Sequence, residues 1–91
     1  MAVLLLPAFD APMTLIIEAI GWIAAVLILG AYGLLSAGRI GPKSMAYQVM
    51  NMVGAAGFIV NSGWNGALPS AVLNVIWLAI GIFTVWQMRR A

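Results

Sequence analysis

The residues of this sequence best suited to chemistry are amide side chains that stand inside long apolar stretches. Gln48 and Asn51 lie in one stretch, and Asn74 lies in the next. Each amide offers N–H donors and a carbonyl acceptor, and polar groups at membrane depth face the interior of a helix bundle. With Phe58 and Trp77 as flat apolar walls, these amides form a candidate binding site for a small neutral polar solute. The alternative is that they bond to one another, or to backbone carbonyls, and hold helices together.

The spacing of these amides bears on whether they share a site. If their two helices are antiparallel neighbours, a rise of 1.5 Å per residue places Asn51 and Asn74 within about 7 Å along the membrane normal. Gly54 and Gly57 leave room between them. The same two glycines, together with Gly21 and Ala25, are predicted to let helix backbones approach closely.

Neither catalysis nor metal binding is expected from this composition. Asp10 and Glu18 are the only carboxylates, and no histidine, cysteine or lysine stands beside them as a partner. The lack of cysteine and histidine excludes disulfide bonds and thiolate or imidazole metal sites. Four basic residues and a net charge of +2 are too few for nucleic-acid binding. We therefore predict a protein that is not an enzyme and has no cofactor.

The apolar composition predicts an integral membrane protein. Of the 91 residues, 65% are hydrophobic and 7% are charged, so polar side chains cannot cover the surface of a soluble domain. A helix of twenty residues is roughly 30 Å long, which matches the hydrocarbon core of a bilayer. The apolar runs predict an all-α bundle of three transmembrane helices, at about residues 14–35, 44–61 and 69–88. Residues 1–13 are either an interfacial segment or a flexible one, and residues 61–68 are a tight turn marked by Asn65-Gly66.

Charge placement decides the number of spans. With three spans, the loop that holds Arg39 and Lys43 shares a side with the tail that holds Arg89 and Arg90, whereas two spans would divide them. The positive-inside rule favours three spans, with the N-terminus outside and the C-terminus inside. The residues predicted to anchor the chain at the lipid interface are Trp22, Trp64, Trp86, Arg39, Lys43, Arg89 and Arg90.

One pattern extends from Ile20 to Met88. It consists of residues 20–25 (IGWIAA), of Gly54, and of the spacing from Gly54 to Leu68-Pro69 and to Asn74-Val75. This pattern resembles that of the SemiSWEETs, bacterial half-transporters of the MtN3/PQ-loop superfamily. The resemblance implies a three-helix unit of the bacterial inner membrane that dimerises and passes a solute by alternating access, with Asn74 in the pocket. The sequence departs from the pattern at Leu34-Leu35, which replaces a Pro-Gln pair, and at Phe58, which replaces a pocket tryptophan.

Two functions remain open. In the first, a homodimer forms the pathway of a transporter for a small neutral polar solute. In the second, the chain is a non-catalytic accessory subunit whose Gly/Ala-rich faces dock on a larger membrane complex, or bind membrane lipid or pigment in a groove. The Pro-Gln departure favours the subunit and the placement of Asn74 favours the half-transporter, toward which the sequence leans slightly.

Overall fold

The computed structural model describes residues 10–90, with side chains from Pro12 onward. In this part of the chain, the prediction of an all-helical protein with three helices is confirmed. They are α1 (Asp10–Ser36), α2 (Met45–Trp64) and α3 (Leu68–Arg90). Of the predicted N-terminal segment 1–13, residues 1–9 lie outside the described residues and residues 10–13 belong to α1.

Two helix boundaries differ from the prediction. α1 begins at Asp10 instead of Thr14, because Pro12 is accommodated in a first turn, where its missing N–H would have no partner. α2 continues to Trp64, so residues 62–64 are also helical and the turn is shorter than predicted. The side chain of Asn61 is bonded to α1, and this contact favours the helical position over the turn that the local sequence suggests.

Both connections begin with the same glycine cap. Gly38 has φ +75° and Gly66 has φ +73°, in the left-handed region that glycine adopts without a steric penalty. After α1, the N–H of Arg39 donates to the carbonyl of Leu34 at 2.9 Å; after α2, the N–H of Ala67 donates to that of Ser62 at 2.8 Å. These are Schellman-type ends, which satisfy the last carbonyls of a helix and reverse the chain.

The central element is α2, which packs on both α1 and α3. Contacts of α2 with α1 pair late residues of one helix with early residues of the other, and the same holds for α2 and α3. Both pairs are therefore antiparallel, and α1 runs parallel to α3. The bundle is elongated, with extents of 51 × 23 × 19 Å.

Glycines set the distance between α1 and α2. A Cβ atom on Gly54 would lie 2.5 Å from Cγ1 of Ile28 and 3.2 Å from the carbonyl oxygen of Ala24. A Cβ atom on Gly57 would lie 2.9 Å from Cβ of Ala24. The two backbones can approach this closely only because these side chains are missing, as in small-residue helix contacts within membranes.

The distribution of polarity is the reverse of that in a soluble protein. Among the described residues the buried hydrophobic side chains are Ile17, Ala24, Ala31 and Ala55, whereas Gln48, Asn51 and Ser62 are buried polar ones. The outer surface carries large apolar side chains. Within the described chain, two helical segments are long and apolar enough to cross a membrane, Pro12–Ser36 and Leu68–Arg90.

Replacing Gly54 by alanine tests the α1–α2 contact. Because the new Cβ would press on Ile28 and on the backbone of Ala24, we expect Gly54→Ala to destabilise the protein by about 1–3 kcal/mol. Gly63→Ala is the matched control, since no atom lies within 4 Å of its added Cβ. Unfolding of both variants in detergent micelles measures the difference. Equal stability of the two variants would contradict the close approach.

Candidate functional site

Asn51 is a buried residue for which the structure describes no side-chain hydrogen bond, and it is 7% exposed. Among the described residues, the fully buried side-chain atom without a partner is Oγ1 of Thr14. On α2, Gly54 faces α1 and Gln48 lies beside Gly81 of α3. Asn51 is three residues from each, and therefore about 60° around the helix from both of these directions. Its side chain consequently lies on the inner side of α2, between the α1 and α3 contacts.

Gln48 is occupied at the end of the bundle that carries the α1–α2 loop. Its Nε2 donates to the carbonyl oxygen of Pro42 at 2.8 Å. Its Oε1 lies 3.7 Å from the position that a Cβ on Gly81 would take, so the side chain is enclosed by α3. The residue is 7% exposed. Gln48 therefore ties the loop to α2, and one of its two donors is already used.

Asn74 lies on the face of α3 that meets α2, but its amide is bonded to its own helix. Nδ2 donates to the carbonyl oxygen of Ser70 at 2.9 Å. Ser70 in turn receives a hydrogen bond from the Ser62 hydroxyl, Oγ to Oγ, at 2.9 Å. Asn74 is half-buried. This amide can still offer its carbonyl oxygen and one N–H to another group.

The register of the helices separates the two asparagines. Ser62 lies opposite Ser70, which places Asn74 at the level of Phe58. Asn51 is seven residues from Phe58, so it lies about 10 Å from Asn74 along the axes, instead of the predicted value of about 7 Å.

The two aromatic residues of the predicted site differ in burial. Phe58 is half-buried at the level of Asn74. Trp77 is 47% exposed and contributes to the outer apolar surface. The five predicted solute-binding residues are thus spread along α2 and α3.

Asn61 makes a polar contact with α1 that the sequence patterns did not indicate. Its Nδ2 donates to the carbonyl oxygen of Ile17 at 2.9 Å. It fits against Gly21, where an added Cβ would lie 2.5 Å from that nitrogen. The contact could have been predicted from the position of Asn61, four residues after Gly57 and seven after Gly54, on the same helical face. The helix-packing role predicted for Gly21 is therefore to leave space for the amide of Asn61. Ala25, one turn further along α1, is half-buried.

The predicted interface anchors occupy different positions. Trp64 ends α2 and is 49% exposed, and Trp86 lies in the last turns of α3. Since α1 and α3 are parallel, the exposed basic residues gather at one end of the bundle: Arg39, Lys43, Arg89 and Arg90. Trp22 is different, because it lies near the middle of α1 with 69% of its surface exposed. The earlier start of α1 places this tryptophan away from the helix end where an interface anchor would lie.

The fold and these contacts define a class: a small all-helical protein with an apolar exterior and polar groups held between its helices. The chain belongs to an uncharacterised family, whose model matches residues 17–91. The match begins within α1 and includes all of α2 and α3. No curated protein and no solved structure was found to match the chain.

Truncating Asn61 and Asn74 separately distinguishes a bond between helices from a bond within one. We expect Asn61→Ala to lower stability by about 0.6–1.7 kcal/mol, since it removes a contact between α1 and α2. Asn74→Ala removes only a bond to the preceding turn of α3 and should change stability little. Unfolding with increasing SDS in mixed micelles measures both. A larger loss for Asn74→Ala would contradict this assignment.

Proposed function

We propose that the chain crosses a bacterial inner membrane three times, with its N-terminus outside and its C-terminus inside. Two observations support this topology. The basic residues gather at one end of the bundle, where the positive-inside rule places the cytoplasm. The polar residues of α2 are turned toward α1 and α3, so α2 can cross lipid with its amides shielded by its neighbours.

Single cysteines in the two connections test this topology, because the chain has no cysteine of its own. Gly41→Cys marks the α1–α2 connection and Ala67→Cys marks the α2–α3 connection, and both positions are exposed. A membrane-impermeant maleimide should label Ala67→Cys in spheroplasts, and Gly41→Cys only after permeabilisation. Labelling of both positions from the same side would show that α2 does not cross the membrane.

For the function, we propose a non-catalytic accessory subunit that packs against a larger membrane protein complex. This proposal rests on the hydrogen bonds that the amide side chains already make within the chain. Gln48, Asn61 and Asn74 donate to the backbone carbonyls of Pro42, Ile17 and Ser70. The Asn61 bond joins α1 to α2, and all three bonds leave fewer groups to recognise a solute. The spread of the candidate residues along the bundle supports the same conclusion.

The outer face of α1 is the surface that we propose for docking. Trp22, Val26 and Leu29 follow one another at helical spacing and are 69%, 67% and 72% exposed. A tryptophan near the middle of a spanning helix sits below the interfacial belt, where its indole N–H finds no water or headgroup. A partner helix with a hydrogen-bond acceptor at that depth would satisfy it.

Extraction of native membranes into polymer-bounded discs tests this function. We expect a larger membrane protein to be recovered with the chain at fixed stoichiometry. Trp22→Leu should lower that recovery about fivefold, which corresponds to a loss of about 1 kcal/mol. Trp77→Leu, an exposed tryptophan on α3, is the matched control and should leave recovery unchanged. Recovery of a homodimer alone would contradict the accessory role.

A second candidate function, the SemiSWEET-like half-transporter, is favoured by Asn51. A buried amide without a partner can bind a small neutral polar solute in a dimer whose two copies enclose the pathway. In this case, liposomes that contain the homodimer should admit small neutral solutes. Asn51→Ala should abolish entry and leave the dimer intact. Asn65→Ala, in the α2–α3 turn, is the control and should leave entry unchanged. Unchanged entry with Asn51→Ala would exclude this role.

A further inference from the structure

The last turns of α3 carry an aromatic and cationic ladder. The rings of Phe83 and Trp86 are stacked, with centroids 5.8 Å apart and an interplanar angle of 28°. The guanidinium carbon of Arg90 lies 4.6 Å from the centroid of the Trp86 ring. The three residues follow one another at i, i+3 and i+7 and therefore share one face of the helix. Phe83 and Trp86 are 55% and 50% exposed, so this face is available to a ligand.

We propose that this ladder, defined by Phe83, Trp86 and Arg90, binds one anionic phospholipid. Stacking on a ring uses the face of the guanidinium and leaves the N–H donors on its edge free. Those donors match a phosphodiester, which accepts two parallel hydrogen bonds. The stacked rings of Trp86 and Phe83 continue from Arg90 toward the middle of α3 and form an apolar wall for an acyl chain. One face thus provides contacts for both parts of a lipid.

The surrounding charge favours an anionic headgroup over a zwitterionic one. Arg89 is exposed beside Arg90, and the α1–α2 connection brings Arg39 and Lys43 to the same end of the bundle. Glu18 lies in the N-terminal half of α1 and Asp10 begins that helix, so both acidic residues belong to the opposite half.

This inference rests on the proposed membrane topology, which places the ladder at the cytoplasmic leaflet. Its test uses a variant in which Trp86 is the only tryptophan, obtained by replacing Trp22, Trp64 and Trp77 with phenylalanine. The protein is reconstituted in vesicles that contain brominated phosphatidylglycerol or brominated phosphatidylcholine at equal mole fraction. Bromine quenches indole fluorescence at short range, so the two quenching curves give the relative affinity of the Trp86 site for the two lipids.

We expect phosphatidylglycerol to bind about five times more tightly than phosphatidylcholine, equivalent to about 1 kcal/mol. Arg90→Gln should bring the ratio close to one. Arg89→Gln, the matched control, removes the same charge without removing the stacked guanidinium and should keep most of the preference. Inorganic phosphate at constant ionic strength should not displace the lipid, because the site also binds the acyl chain.

Three results would overturn the proposal. Equal quenching by the two lipids would exclude a preference for anionic lipid. Equal effects of Arg89→Gln and Arg90→Gln would reduce the preference to general charge attraction without a site. Displacement by phosphate would show that the ladder binds the anion alone. The absence of quenching by either lipid is a separate result, since it would show that Trp86 does not lie in the membrane and would contradict the topology itself.

Discussion

The structure depends on one constraint: a polar group that is removed from water must find its partner within the protein. The central helix α2 carries most of these groups, and its neighbours provide carbonyls and close contacts. Asn61 reaches the carbonyl of Ile17 because Gly21 has no side chain, and Gly54 and Gly57 bring the two backbones close enough for this bond. The contact between α1 and α2 is therefore steric and polar at the same time, and removing either part weakens the other.

The same constraint separates the two proposed functions. An amide that donates to a carbonyl of its own chain has fewer groups left for a ligand, whereas an amide without such a bond is free to recognise a ligand or a second protein. Asn74 and Gln48 belong to the first kind and Asn51 to the second. Asn51 is 7% exposed between α1 and α3, so little of it is open to a solute. The face of α1 that carries Trp22 is already open to a partner.

Local sequence patterns predicted much of the fold and less of the site. Long apolar runs predicted three helices, Asn65-Gly66 marked a turn, and the antiparallel order of the helices placed the basic residues at one end. The end of α2 was wrong, because Asn61 and the residues after it have the local composition of a turn, while a bond to a residue 44 positions away keeps Asn61 helical. The alignment of α2 with α3 depends on the Ser62–Ser70 pair, and no local rule fixes which residues of two helices meet.

The modest hydropathy of α2 also has a consequence for biogenesis. Among the described helices, α1 and α3 contain segments apolar enough to enter lipid individually, and α2 is the one rich in amides and hydroxyls. In the proposed topology, α2 alone would move from the translocon into the lipid inefficiently, because its amides would contact hydrocarbon without hydrogen-bond partners. It would instead be retained until it can leave together with α1 as a helical hairpin, with the short connection after Ser36 keeping the two arms adjacent. α1 and α2 would then enter the membrane as one unit. The close contact at Gly54 and Gly57, which stabilises the finished bundle, would already form during synthesis.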